Sequence, residues 1–254
     1  MNHRDHQELF ATSEVDLWAT RAGMHADERA IIERYLKPEA RTLEAGCAGG
    51  RILLELWDMG FRDLTGFDYV PELVAAARER AQGRTIQYDV QDARQLMYAD
   101  ASFDQLLYLQ QIMCFIEGAD QRRRAMSEAF RILRPGGIAA FSFLCDNVRR
   151  GRWKYLPMRI WLRMLRTLTR APRTRQMWPW LRLGGRFHWG ALLDRGPWVY
   201  WYRPEEAAAE LEAVGFRLVG IGTQAQVKAG QLAASADELR DQPAQGAIFC
   251  VCTK

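Results

Sequence analysis

Short apolar runs alternate with amphipathic stretches along the first 145 residues, and that alternation predicts strands separated by helices. Ile31, Ile32, Tyr35 and Leu36 recur on one face of a helix over residues 27–35, which Lys37-Pro38 stops. Strands are expected at 42–45, 64–67, 85–88, 103–109 and 138–144. The helices between them are expected at 50–59, ending near Gly60, at 71–81, with Pro71 as first residue, and at 119–133, closed by Pro135-Gly136-Gly137. A helix over 205–214 and strands at 216–221 and 247–252 follow, and the small, polar, weakly patterned residues 225–244 predict a mobile loop. This spacing implies an α/β fold: a doubly wound, mostly parallel sheet with helices on both faces.

Composition narrows the class. The chain of 254 residues is long enough to bury a full α/β core as one unit. No run of about eighteen apolar residues is present, and the polar start, Met1-Asn2-His3-Arg4-Asp5-His6-Gln7, lacks the apolar stretch of a signal peptide, so a cytoplasmic protein is expected. Cys47, Cys114, Cys145, Cys250 and Cys252 have no zinc-ligand spacing and read as reduced, buried filler.

The most informative run is Arg41-Thr-Leu-Glu-Ala-Gly-Cys-Ala-Gly-Gly-Arg-Ile52, followed by Leu64-Thr-Gly-Phe-Asp-Tyr69: strand, glycine turn, helix, strand, acid. A glycine turn lets the backbone approach a ligand closely, and the following helix aims free N–H groups at it. Asp68, eighteen residues past Gly50, can accept from both hydroxyls of a ribose. Dinucleotide sites seat a pyrophosphate on Gly-x-Gly-x-x-Gly, whereas here Glu44 stands two residues before Gly46, repelling a pyrophosphate and suiting a cation.

Glu44-x-Gly46-x-Ala48-x-Gly50 resembles motif I of the class I, Rossmann-like S-adenosylmethionine-dependent methyltransferases. Three later stretches resemble that family's further motifs in order: Asp89-Val-Gln-Asp92-Ala93, Ser102-Phe-Asp104, and Arg134-Pro135-Gly136-Gly137 leading into the strand to Phe143. The resemblance implies a seven-stranded sheet of order 3-2-1-4-5-7-6, its last two strands an antiparallel hairpin. It divides the single domain, residues 1–254, into an N-terminal helical segment (1–36), a cofactor-binding core (37–145), a cap insertion after strand 5 (146–202) and the C-terminal part of the core (203–254).

It also implies a cofactor, S-adenosylmethionine, with S-adenosylhomocysteine as product, and roles for residues. The turn Gly46, Cys47, Ala48 and Gly50 would pack against the methionyl part through its backbone. Glu44 would face the ammonium, Asp68 the ribose diol and Tyr69 the adenine. Asp92 would accept from the exocyclic amine, the backbone of Ala93 would meet the ring, and Gln110 would line the cavity. Arg21, with Trp18, would lie near the cofactor carboxylate. Ala48 replaces the central glycine of the motif, so its backbone is expected not to need a positive φ.

A sulfonium methyl is already activated, so the protein mainly has to align a nucleophile behind it and keep water out. His188, the only histidine beyond residue 25, has the intrinsic pKa of a general base, and Gln111 can orient an acceptor. No metal is expected: Asp146-Asn147 resembles part of the metal site of catechol-type relatives, but Gln110-Gln111 stands where their other acid should be. The absence of Asn/Asp-Pro-Pro-Tyr and of Pro-Cys after strand 4 disfavours adenine-N6, glutamine and cytosine-C5 chemistry.

Residues 149–186 change the picture once more, with twelve Lys or Arg and no Asp or Glu; seven of the nine tryptophans lie between Trp153 and Trp201. Against a whole-chain charge of only +4 this is a local excess. Arg159, Arg163, Arg166 and Arg170 oppose Trp161, Met164, Leu165 and Leu168 on a basic amphipathic helix. Three readings fit it: a lid packing its apolar face on the domain with solvated arginines, contact with an anionic inner-membrane surface, or contact with RNA phosphates. The expected activity is methyl transfer to oxygen or nitrogen of a small or medium acceptor, a saccharide, lipid-linked intermediate or secondary metabolite, with no stable protein partner. RNA methylation through the cap is the alternative acceptor reading. Aminopropyl transfer and a catalytically silent adenosyl-ligand-binding protein are alternatives of other classes.

Overall fold

The computed structural model describes residues 9–12, 14–171, 173–183 and 185–254. The polar start at residues 1–7, and with it part of the expected N-terminal segment, lies outside the described residues. The strands are β1 (Thr42–Ala45), β2 (Leu64–Asp68), β3 (Ile86–Val90), β4 (Phe103–Tyr108), β5 (Leu133–Leu144), four short ones in the cap, β6 (Met177–Pro179), β7 (Arg182–Leu183), β8 (Arg186–Phe187) and β9 (Trp198–Tyr200), then β10 (Arg217–Thr223) and β11 (Ala247–Thr253). The helices are α1 (Val15–Thr20), α2 (Ala26–Tyr35), α3 (Arg51–Asp58), α4 (Pro71–Arg80), α5 (Ala119–Ile132), α6 (Asp146–Arg150), α7 (Leu156–Thr169), α8 (Pro204–Ala213) and α9 (Gln224–Lys228). None of the described helices is long and apolar enough to cross a membrane.

Seven strands form one sheet in the order β3-β2-β1-β4-β5-β11-β10. The first five run parallel, and β11 is antiparallel to both neighbours, as the implied order requires. From β1 the chain builds outward through β2 and β3, then returns to the other side of β1 for β4. Strand order therefore reverses at β1, and a crevice opens beyond its carboxyl end.

Period-two alternation distributes the core over two faces. On β4, Leu106 and Tyr108 face one cluster with Met126 and Ala129 of α5 and Leu211 of α8, while Leu107 faces the other with Ile31 and Ile32 of α2 and Leu53 of α3. On β11, Cys250 and Cys252 join the first cluster, and Phe249 and Val251 the second. All five cysteines are free and buried.

One charged pair is buried in the second layer. Glu28 caps the start of α2 by accepting from the His25 amide at 2.9 Å, and takes Arg51 of α3 in a bidentate pair at 2.7 and 2.5 Å. Arg51 also donates to the Gly23 carbonyl at 3.0 Å, so it ties α2 and the segment before it to the helix that follows the glycine turn.

The turn departs from expectation at one position, which adopts a left-handed backbone, φ +46°, between Gly46 at +61° and Gly50 at +76°.

 The residue there is Ala48, and the expectation that it would avoid positive φ is corrected: its amide donates to Asp68 Oδ2 at 3.0 Å, and Gly50 N closes the turn on the Cys47 carbonyl at 2.8 Å. These bonds impose the glycine path on alanine, at a cost of about 1–2 kcal/mol.

Three further expectations change. The helix expected at 119–133 ends at Ile132, and β5, expected from residue 138, already starts at Leu133, so Pro135-Gly136-Gly137 lies within the strand. Residues 225–244 are not a bare loop, because Thr223 and Gln226 form a capping box on α9, while Val227, Ala233 and Leu239 are buried against the two core layers. The basic helix α7 departs from the lid reading in part, since Arg163 and Arg170 are exposed as that reading expects but most of the apolar face is exposed as well. Arg159, Arg163 and Arg166 line a cavity inside the cap, Leu162 is the helix's buried residue, and Trp161, Met164 and Leu168 are exposed.

Removing one member of a buried ion pair strands the other, so Glu28→Ala is expected to cost about 3–5 kcal/mol in urea unfolding; a loss under about 1 kcal/mol would show that Arg51 finds another partner. Relief of the left-handed alanine gives the opposite sign: Ala48→Gly should gain about 1 kcal/mol in the same assay, and a loss of stability would contradict the strain.

Candidate functional site

The crevice beyond β1, β2 and β4 holds a narrow cavity of about 100 Å³. Gly46 and Ala48 form its floor, Asp68 and Tyr69 one wall, and Asp92 and Ala93, from the loop after β3, another. Gln110 and Ile112 enter from the end of β4. Phe10 and Phe115 close the outer side, edge-on to one another at 5.8 Å between centroids and both edge-on to Trp180 of the cap at 5.6 and 5.4 Å. Gly46 is left-handed, φ +61°, and a Cβ there would stand 2.2 Å from Ile112 Cδ1, so a side chain would be strained and would have to displace the end of Ile112.

Two acids end adjacent strands here. Asp68 is buried, and burial pushes its carboxyl up to about 6 against the opposing pull of the Val70, Ala48 and Tyr69 amides. Its Oδ1 accepts from Val70 N at 3.0 Å while Oδ2 holds Ala48 N, so it fixes the turn and still faces the cavity. Glu44 is 1% exposed, and both its oxygens lack a hydrogen-bond partner among the described residues. The Gln110 amide lies close by, but its Nε2 is likewise unbonded by strict geometry. Burial raises the Glu44 carboxyl well above the ordinary range, opposed mainly by the charge of Arg51. A buried carboxylate without donors costs several kcal/mol, of order 1–3 or more, and the residue beneath the turn is thus suited to a cationic, N–H-bearing group. The methionyl ammonium of S-adenosylmethionine fits that requirement.

Asp92 is held bidentately by Arg94, with Nε at 2.9 Å from Oδ1 and Nη2 at 2.5 Å from Oδ2, which fixes its orientation at the cavity edge. Gln110 and Gln111 are consecutive left-handed residues, φ +64° and +62°, a strained pair of the kind found at ligand sites.

The structure brings Gly46, Ala48, Asp68, Tyr69, Asp92, Ala93 and Gln110 to one cavity, with Glu44 and Cys47 buried next to its floor and Gly50 starting α3. Arg21 stands off it: its guanidinium lies 5.1 Å over the Trp18 ring, which does line the cavity, and bonds His25 Nε2 at 2.8 Å. Gln111 turns away, donating from N and Nε2 to Ser142 Oγ at 3.0 and 3.3 Å. His188 lines a different, outer cavity of the cap, with Nδ1 3.0 Å from the Trp180 carbonyl. Asp146 is fully buried and paired with Arg149 and Arg150. Sequence reasoning missed Phe10, Leu73, Gln91, Ile112, Phe115 and Ile116 as cavity walls. The one available signal was the apolar run Ile112-Met-Cys-Phe-Ile116 directly after the end of β4, where a polar loop would be ordinary.

Comparison with known proteins agrees with this geometry. The family described as a methyltransferase domain matches residues 43–141. The chain is 32% identical over 127 residues to the mouse EEF1A lysine methyltransferase 4, covering 45% of this chain and 50% of that one. It is 32% identical over 112 residues to a malonyl-[acyl-carrier protein] O-methyltransferase of Pectobacterium atrosepticum, covering 42% of this chain and 40% of that one. The chain thus spans half or less of the length of these curated relatives. A SAM-dependent methyltransferase of Methanosarcina mazei superposes with TM-score 0.64 at 20% identity over 88% of this chain and 96% of its own, a likeness of fold. With the order of the sheet and the acids beyond β1 and β2, these matches show that residues 43–141 are similar to a methyltransferase domain and lie within the Rossmann-like fold that S-adenosylmethionine-dependent methyltransferases share.

Proposed function

We propose that this chain transfers the methyl group of S-adenosylmethionine to an oxygen or nitrogen atom of a small or medium acceptor. The observation that carries the reading is the pair of buried acids at the ends of β1 and β2, one with unmet oxygens and one clamping the glycine turn at the cavity. Bound cofactor supplies an electrophilic methyl on a sulfonium. Glu44 holds the ammonium, Asp68 accepts from the ribose hydroxyls, and Asp92 accepts at the adenine edge. Phe10, Phe115 and Trp180 exclude water over the reacting side, and these rings must part to admit a whole nucleoside into so narrow a slot.

Among the described residues that line the cavity, the titratable side chains are Asp68, Tyr69 and Asp92, and burial pushes the Tyr69 hydroxyl far up. That favours an acceptor whose atom arrives as a nucleophile, an amine with a free lone pair or an oxygen already ionised, over one needing His188 as base. Saccharides, lipid-linked intermediates and secondary metabolites carrying such atoms fit equally. A second reading concerns location: Trp161, Met164, Leu168, Trp189 and Leu193 are exposed on the cap beside its arginines, which supports peripheral contact with an anionic membrane surface from the cytoplasmic side.

Titration calorimetry with S-adenosylhomocysteine tests the cofactor site. Glu44→Gln should weaken binding about tenfold to a hundredfold, the worth of about 1.5–3 kcal/mol for a charge-assisted bond, and unchanged affinity would remove Glu44 from the site. Because the ammonium lowers a carboxyl that burial has raised, binding to the wild type should release protons at neutral pH, seen as a buffer-dependent enthalpy that Glu44→Gln abolishes. Asp68 must be ionised to accept from two hydroxyls. Affinity should therefore fall about tenfold per pH unit below about 6, and a flat profile there would sink its role.

A further inference from the structure

The cap holds a second cavity, of about 630 Å³, that shares no lining residue with the first. Eight arginines line it, drawn from α6, α7, the segment before β6 and the start of α8. Among the described residues only two carboxylates pair with any of them. Asp146 holds Arg149 and Arg150, and Asp194 holds Arg166 at 2.7 Å and Arg173 at 3.6 Å. Arg159, Arg163, Arg175 and Arg203 have no ion pair there, so eight positive charges face two negative ones.

Arg149 is the centre of this arrangement. It is 3% exposed, its guanidinium lies 4.1 Å over the Trp178 ring and 5.1 Å over Trp201, and its Nε and Nη1 have no hydrogen-bond partner. Arg203 Nε, on the same cavity, is unmet as well. Burial, with too few acceptors for its N–H groups, pushes the Arg149 guanidinium down to about 10 despite Asp146. Asp146 and two indoles hold Arg149 in one orientation, so little freedom remains to be lost when an anion arrives. Guanidinium forks present paired N–H groups with the spacing of phosphate oxygens.

We propose that this cavity is a binding site for the phosphate or diphosphate group of a phosphorylated ligand. A half-open cavity with arginines on several sides suits a compact, multiply charged head group, whereas an RNA strand calls for a stripe running along the surface. The site is also placed for use. α6 follows the carboxyl end of β5, next to β4, so both cavities open on the same edge of the sheet. Trp178 lines the arginine cavity, and Trp180, two residues on, packs against Phe10 and Phe115 at the cofactor cavity. That the anchored ligand is the methyl acceptor rests on the proposed methyl transfer; anion binding itself does not.

The test uses the full chain and inorganic pyrophosphate, titrated calorimetrically against chloride of matched ionic strength, with S-adenosylhomocysteine binding measured on the same preparations. Arg163 and Arg175 are exposed and sit in no ion pair, so Arg163→Gln/Arg175→Gln should fold and bind S-adenosylhomocysteine as the wild type does. Pyrophosphate should bind the wild type and bind the double variant at least about tenfold more weakly. No binding beyond the chloride control, or equal affinity in both proteins, overturns the site. Sedimentation with phosphatidylglycerol vesicles, against phosphatidylcholine ones, distinguishes the sources. Retention that pyrophosphate displaces supports the site with a lipid head group as ligand, and pyrophosphate binding without retention supports it with a soluble phosphate. Loss of S-adenosylhomocysteine binding with pyrophosphate binding intact would sink the methyl-transfer reading and leave the anion site standing.

Discussion

The hydrogen bond from the Ala48 amide to the Asp68 carboxylate joins the ends of β1 and β2 and holds the turn between them in a left-handed path. In that turn Gly46 lies close against Ile112, and α3 starts directly after it, where Arg51 reaches Glu28. The sheet places that bond at the strand-order reversal, the one edge where no crossover helix covers the carboxyl ends. Asp68 is accordingly both a structural acceptor and a cavity wall, and its raised carboxyl reflects what burial costs a group held in that double position.

Two sites in this chain share a physical signature with opposite sign. Beneath the glycine turn a buried carboxylate has unmet oxygens; in the cap a buried guanidinium has unmet N–H groups. Native proteins satisfy nearly all buried polar groups, so an unmet charged group beside a cavity suits a ligand of complementary charge. The two surroundings differ in kind: Glu44 sits under a single turn with Arg51 and Gln110 near it, while Arg149 stands among seven other arginines. The first suits one ammonium and the second a multiply charged anion.

Much of the core was legible because its strands are covered on both sides. β1 and β2 are buried at every position, so they read as unbroken apolar or small runs ended by an acid, and α4 begins at Pro71 because proline needs no amide partner there. The cavity acids and the turn were legible for the same reason: each lies within a residue or two of a strand end. Phe10 was not, and the apolar run Ile112–Ile116 after β4 signals burial without saying whether its side chains roof a cavity or fill a core.

The amino-acid sequence by itself determined the alternation of strand and helix, the glycine turn with its two acids, and the excess of arginine after β5, since periodicity, backbone permissiveness and formal charge are local properties. Only the tertiary structure decided that Ala48 is strained, that Gln111 and His188 point away from the cofactor cavity, and that α7 sets Arg159, Arg163 and Arg166 on a cavity while Trp161, Met164 and Leu168 stay exposed. Those outcomes depend on which distant groups meet a side chain. A helix with one basic and one apolar face fits either orientation until the surrounding segments, here Asp194 and the carbonyls of Thr174 and Met177 that hold Arg166, select one.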